Sequence, residues 1–131
     1  MPHSILLVDD NSFVRGLLRN FLESHPGLEV CGEASDGVEA IEKTEMLKPD
    51  LVVLDLSMPR MNGLDAARVL NQKRPEIPLV LFTSHTDVLG HLNIADTGIK
   101  AVVSKSEDLG MLVAQIEELL EPRGKQAVSG M

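Results

Sequence analysis

Four continuous apolar runs punctuate the chain: Ile5-Leu6-Leu7-Val8, Leu51-Val52-Val53-Leu54, Leu79-Val80-Leu81-Phe82 and Ala101-Val102-Val103. Each is too short for a helix and is bounded by polar or turn residues, the pattern of strands buried on both faces of a parallel sheet. They predict strands one, three, four and five, the first reaching Asp9 and the last Ser104. Glu29 to Ala34 is more polar and predicts a short second strand at a sheet edge.

Helical periodicity fills the gaps between these runs. Val14, Leu17, Leu18, Phe21 and Leu22 share one face of a first helix, which Pro26-Gly27 stops. Asp36, with Glu39 three residues on, predicts a capping box that opens a second helix, and Pro49 ends it. Pro59 to Gly63 reads as a loop, with Asn62 as N-cap of a third helix carrying Leu64, Ala67, Val69 and Leu70. A fourth helix is placed at Val88 to Asp96, although Gly90 interrupts it and no firm apolar stripe supports it. The last helix is capped by Ser106, buries Leu109, Leu112, Val113, Ile116, Leu119 and Leu120, and stops at Pro122-Arg123-Gly124.

A strand-helix unit repeated five times predicts one α/β domain. Parallel neighbours need right-handed crossovers, and the polar second strand belongs at an edge. The fold predicted is a flavodoxin-like, doubly wound, five-stranded parallel sheet of strand order 2-1-3-4-5 with five helices. The domain spans residues 1–122, and 123–131 form a frayed tail or the start of a linker. Ligands of such sheets bind beyond the carboxyl ends of the strands, at the point where strand order reverses. That point lies between strands one and three, which end in Asp9-Asp10 and Asp55. Thr83 and Lys105 close strands four and five at the same edge. Three carboxylates placed together repel by about 1–3 kcal/mol per close pair at intermediate dielectric. Such a cluster suggests a divalent cation, and a cation beside a carboxylate, a threonine and a lysine suggests phosphoryl chemistry.

Composition narrows the picture. The 131 residues are enough for one sizeable core. A net charge of −8 argues against a nucleic-acid surface, and the absence of Tyr and Trp removes the usual stacking platforms. Cys31 is the single cysteine, so no intrachain disulfide forms, and its apolar surroundings predict a small core residue. No run approaches the about 20 apolar residues of a membrane span, and no signal peptide opens the chain; a soluble, cytoplasmic protein is expected. His3, His25, His85 and His91 show no zinc spacing.

Leu7-Val8-Asp9-Asp10, Leu54-Asp55-Leu56-Ser57-Met58-Pro59, Asn62-Gly63, Thr83-Ser84 and Ser104-Lys105 occur in order at spacings that resemble the receiver domains of bacterial two-component response regulators. The resemblance covers about residues 4 to 121. It implies that Asp55 is the phosphoacceptor, its carboxylate attacking phosphorus to form an acyl phosphate. It implies a Mg²⁺ site in which Asp10 and Asp55 bind directly, Asp9 through water, and Ser57 through its backbone carbonyl. Lys105 would pair with the phosphoryl group, and the Thr83 hydroxyl would bond it only after transfer. The partners implied are a sensor histidine kinase and an output partner or domain. The surface switched is that of the fourth helix, fifth strand and last helix, which is also a candidate dimer face. Ser57 and His85 occupy positions that tune acyl-phosphate lifetime in this family.

Two positions depart from the family pattern. Val102 stands where an aromatic residue often rotates inward, and Ser106 where a proline usually follows the lysine. The Lys-Ser pair resembles receivers joined to helix-turn-helix DNA-binding domains. Three competing readings remain: a receiver-like scaffold that accepts no phosphate, an aspartyl-nucleophile phosphatase of the haloacid dehalogenase type, and a flavodoxin-like cofactor carrier. The phosphatase would want a second Asp where Ser57 stands. Asp9-Asp10 would repel a flavin phosphate.

Overall fold

A computed structural model of the protein describes residues 2–84 and 96–120. The elements run β1 (His3–Val8), α1 (Ser12–Glu23), β2 (Leu28–Ala34), α2 (Gly37–Leu47), β3 (Leu51–Leu54), α3 (Gly63–Lys73), β4 (Leu79–Thr83), β5 (Ile99–Ser104) and α4 (Leu109–Leu120). The expected helix at Val88 to Asp96 lies outside the described residues save for Asp96. Four helices, rather than five, are therefore described. Residues 121–131, with the predicted stop at Pro122 and the tail, also lie outside them.

All strand pairs are parallel, in the order β2-β1-β3-β4-β5. Period-two alternation divides the core between the two faces of the sheet. Ile5, Leu7, Leu51, Val53, Val80, Phe82 and Val103 pack with Leu18 and Leu22 of α1 and Leu112, Val113 and Ile116 of α4. Leu6, Val8, Val52, Leu54, Leu79 and Leu81 pack on the other face with Ala40 of α2 and Ala67 and Leu70 of α3. This double burial is why the central strands read as unbroken apolar runs. Among the described residues, no helix is long and apolar enough to cross a membrane.

Several local expectations hold, and others are corrected. Asn62 caps α3 by accepting from Asp65 N–H at 2.9 Å. Asp36 caps α2 by accepting from Glu39 N–H at 2.8 Å. Glu39 closes its half of the box one residue early, on Ser35 N–H at 2.8 Å. Ser106 does not cap the last helix. Its hydroxyl pairs with that of Ser104 at 2.7 Å, and Asp108 accepts from Gly110 N–H at 2.6 Å in its place. Leu17, on the apolar face of α1, is 49 % exposed and lines a groove of about 230 Å³ between α1 and α4, beside Phe82 and Lys105. Cys31 on the edge strand β2 packs against the core but is only half-buried; burial pushes its thiol pKa up.

Candidate functional site

The carboxyl ends of β1 and β3 are held side by side by the pairing of Val8 with Leu54. One residue further, Asp55 N–H donates to the Val8 carbonyl at 2.9 Å, and Asp9 N–H donates to the Ala34 carbonyl of β2 at 3.0 Å. The sheet ladder thus continues into the acidic residues and fixes their backbones. Asp9, Asp10 and Asp55 each offer a carboxylate oxygen within 4.8 Å of the others. Asp9 and Asp55 are buried, at 2 % and 6 % exposure, while Asp10 is exposed.

Both oxygens of Asp9 are engaged: Oδ1 accepts from Asn11 N–H at 2.9 Å and Oδ2 from Lys105 Nζ at 2.8 Å. Asn11 itself caps α1, accepting from Phe13 and Val14 N–H at 2.9 and 3.1 Å. Asp55 Oδ1 accepts from Leu56 N–H at 2.8 Å, and its Oδ2 lies 3.4 Å from Lys105 Nζ. Lys105 therefore bridges the two buried carboxylates. Its backbone N–H donates to the Thr83 carbonyl at 2.9 Å, which ties the end of β5 to the end of β4. Thr83 is fully buried and pairs in register with Ser104.

The electrostatics follow from this placement. Burial raises the Asp55 pKa, the neighbouring Asp9 raises it further, and Lys105 offsets only part of the rise. Burial alone would lower the Lys105 pKa, but its bond to Asp9 and the charge of Asp55 outweigh that, so the ammonium is stabilised.

The loop after Asp55 runs against the site because Gly63 lacks a side chain. A Cβ there would fall 2.1 Å from the Asp55 carbonyl oxygen, and Gly63 N–H donates to the Leu56 carbonyl at 2.8 Å. Ser57 lies exposed in this loop.

The expected residues are thus brought to one corner: Asp9, Asp10 and Asp55 cluster, Lys105 reaches Asp9 and Asp55, and Thr83 stands at the adjacent strand end. Val102 is 38 % exposed on β5, and there is no cis peptide bond among the described residues, Lys105-Ser106 included. His85 lies outside the described residues. The pairing between Asp36 and Arg60, which joins the loop after Asp55 to α2 with an N–O distance of 2.9 Å, has no signal in the sequence. The donor set suits Mg²⁺, a hard ion that takes oxygen ligands. Asp9, Asp10 and Asp55 would hold the ion at two neighbouring strand ends, and Asp10 is exposed to solvent there.

The chain belongs to the response regulator receiver domain family, whose match spans residues 5–117. It is 51% identical over 82 residues, 63% of the chain, to a protein-glutamate methylesterase/protein-glutamine glutaminase of Pyrococcus abyssi, where it covers 22% of that protein. A two-component response regulator of the LuxR family from Aurantimonas superposes with a TM-score of 0.85 at 35% identity, covering 92% of this chain and 86% of that one. A Thermotoga maritima response regulator, TrrA, solved in complex with Mg(2+)-BeF, gives 0.81 at 31% identity, covering 92% and 100%. The chain spans between 21% and 36% of the length of the methylesterase relatives it matches. Receiver domains bind Mg²⁺ at their acidic pocket, and Asp9, Asp10 and Asp55 form that pocket here.

Proposed function

We propose that this receiver domain accepts a phosphoryl group on Asp55 from the phosphohistidine of a sensor histidine kinase, in the cytoplasm, with Mg²⁺ required. The observation that carries the reading is the buried Asp55 carboxylate, in reach of the Asp9 and Asp10 carboxylates and of the Lys105 ammonium. In the transfer, an Asp55 oxygen forms a bond to phosphorus as the phosphorus–nitrogen bond of the donor breaks, and the donor imidazole keeps the electron pair and takes a proton. Asp10 and Asp55 would hold the metal directly, Asp9 would do so through water and Ser57 through its backbone carbonyl, and the bound ion would supply charge neutralisation where two anions meet. Lys105 leaves the Asp9–Asp55 bridge to pair with the phosphoryl oxygens, and the Thr83 hydroxyl bonds the same group. These two contacts differ between states, which a switch requires. The domain itself is a phosphoacceptor that catalyses its own phosphorylation and dephosphorylation, and residues 1–122 constitute it.

The methylesterase relatives support an enzymatic output, in a partner or in a further domain, controlled by this switch. The likeness to a LuxR-family regulator at 35% identity supports a second reading, a DNA-binding output. Acetyl phosphate serves as the test donor. The reading predicts a Mg²⁺-dependent label that hydroxylamine releases, as it does an acyl phosphate. A label that survives hydroxylamine, or one indifferent to Mg²⁺, would contradict it.

A further inference from the structure

Arg60 lies near the tip of the loop that joins Asp55 to α3, with its backbone in the left-handed region at φ 65°. Met61 N–H donates to the Pro59 carbonyl at 2.7 Å. Arg60 is therefore the central residue of a γ-turn in its positive-φ form, which is rare and strained. Such strain persists only where the surroundings hold it, and it gathers at functional sites. The holding contacts are specific. Arg60 Nε donates to Asp36 Oδ2 at 2.9 Å and Nη2 to Oδ1 at 3.1 Å, a bidentate fork. Gly37 N–H donates to the Met61 carbonyl at 3.1 Å, and a Cβ on Gly37 would fall 2.6 Å from that oxygen. Asp36 is anchored in turn, since it caps α2 and is 6 % exposed.

We propose that the Asp36–Arg60 ion pair is a positioning device for the metal site, clamping the loop that carries the Ser57 carbonyl to the N-terminus of α2. Arg60 is engaged with Asp36 and acts through the loop. The inference rests on the Mg²⁺ reading above and names the residues that set its affinity.

Electrostatics alone makes the opposite prediction for Arg60. Removing a cation from the neighbourhood of a cation site strengthens Mg²⁺ binding, whereas loosening the loop weakens it. The experiment is calorimetric titration of Mg²⁺ into wild type, Arg60→Gln, Arg60→Lys, Asp36→Asn and the double variant Asp36→Asn with Arg60→Gln. Asparagine keeps the cap acceptor of α2, so the fold survives the change, and circular dichroism verifies it. The clamp predicts that Arg60→Gln raises the Mg²⁺ dissociation constant about three- to tenfold, as loss of a bidentate charged pair would. Asp36→Asn should do the same, and the double variant should be no worse than either single, since both remove one interaction. Arg60→Lys, a point charge without the fork, should recover part of the loss. Arg60→Gln binding as tightly as wild type or more so, or two single effects that add, would overturn the clamp while the parent reading stands. A wild-type chain that binds no Mg²⁺ would overturn both.

Discussion

Replacing Lys105 by alanine removes an ammonium that lies 2.8 Å from Asp9 Oδ2 and 3.4 Å from Asp55 Oδ2. At an effective dielectric of about 20, these separations correspond to about 6 and about 5 kcal/mol of gross attraction. Desolvation offsets most of this, and breaking a buried pair by deleting one partner costs about 3–5 kcal/mol net. Two features place this site below that range. The Lys105 side chain keeps 22% exposure, and Asp55, whose pKa burial and Asp9 already raise, can take up a proton when the ammonium is gone. A loss of about 2–3 kcal/mol in the metal-free protein is expected, or about 8–12 °C in melting temperature for a domain of this size. Mg²⁺ brings the missing positive charge to the same carboxylates. Its affinity for Lys105→Ala should therefore equal or exceed that for wild type, and a saturating concentration should recover most of the lost stability. Far-ultraviolet circular dichroism melts at low salt, with EDTA or Mg²⁺, make the comparison; the chain has no Trp or Tyr to report by fluorescence. An unchanged metal-free melting temperature, or Mg²⁺ binding that weakens, would refute the view that Lys105 neutralises this corner.

Gly63→Ala should destabilise the domain by at least about 3 kcal/mol, read from urea midpoints, because its Cβ would meet the Asp55 carbonyl oxygen at 2.1 Å and backbone must move. Asp10→Ala should weaken Mg²⁺ binding in calorimetry about tenfold or more while leaving the metal-free melting temperature equal or slightly higher, since an exposed member of a repelling trio is removed. Glu33 sets part of the acid limb of stability. Its burial acts to raise the pKa, but bonds from Arg19 and Arg15, each 2.8 Å, outweigh that and lower it. A lowered folded pKa means the contribution is complete above the ordinary glutamate range and is lost as pH falls through the folded value. Glu33→Gln should therefore reduce stability at neutral pH and flatten its decline in acid, as followed by urea unfolding across pH.

Much of this architecture was legible because its cause is local. A strand buried on both faces must be apolar throughout, so Leu51 to Leu54 and Leu79 to Phe82 announced themselves, and the polar residues that end them announced the site. Asn62 was readable as a cap because it stands before an apolar stripe, and Asp36 because Glu39 follows three residues on. Ser106 misled because Ser104, Ser106 and Asp108 are all capable caps, and the two serine hydroxyls satisfy each other. The exposure of Leu17 was not readable, because helical periodicity assigns a face but not the width of what covers it. The bridge that Lys105 makes between Asp9 and Asp55 was not readable either, since it joins the ends of three strands that are far apart in the chain. The Asp36–Arg60 fork had no sequence signal, since residues 24 apart meet only after β2 and β3 flank β1.

The most direct test of the central claim is intact-protein mass spectrometry after incubation with acetyl phosphate, with Mg²⁺ or EDTA, on wild type and Asp55→Asn. A gain of a single phosphoryl group is expected in wild type with Mg²⁺, and none in EDTA or in Asp55→Asn. Labelling that persists in Asp55→Asn, or a wild type that binds Mg²⁺ yet never gains the group, would contradict it.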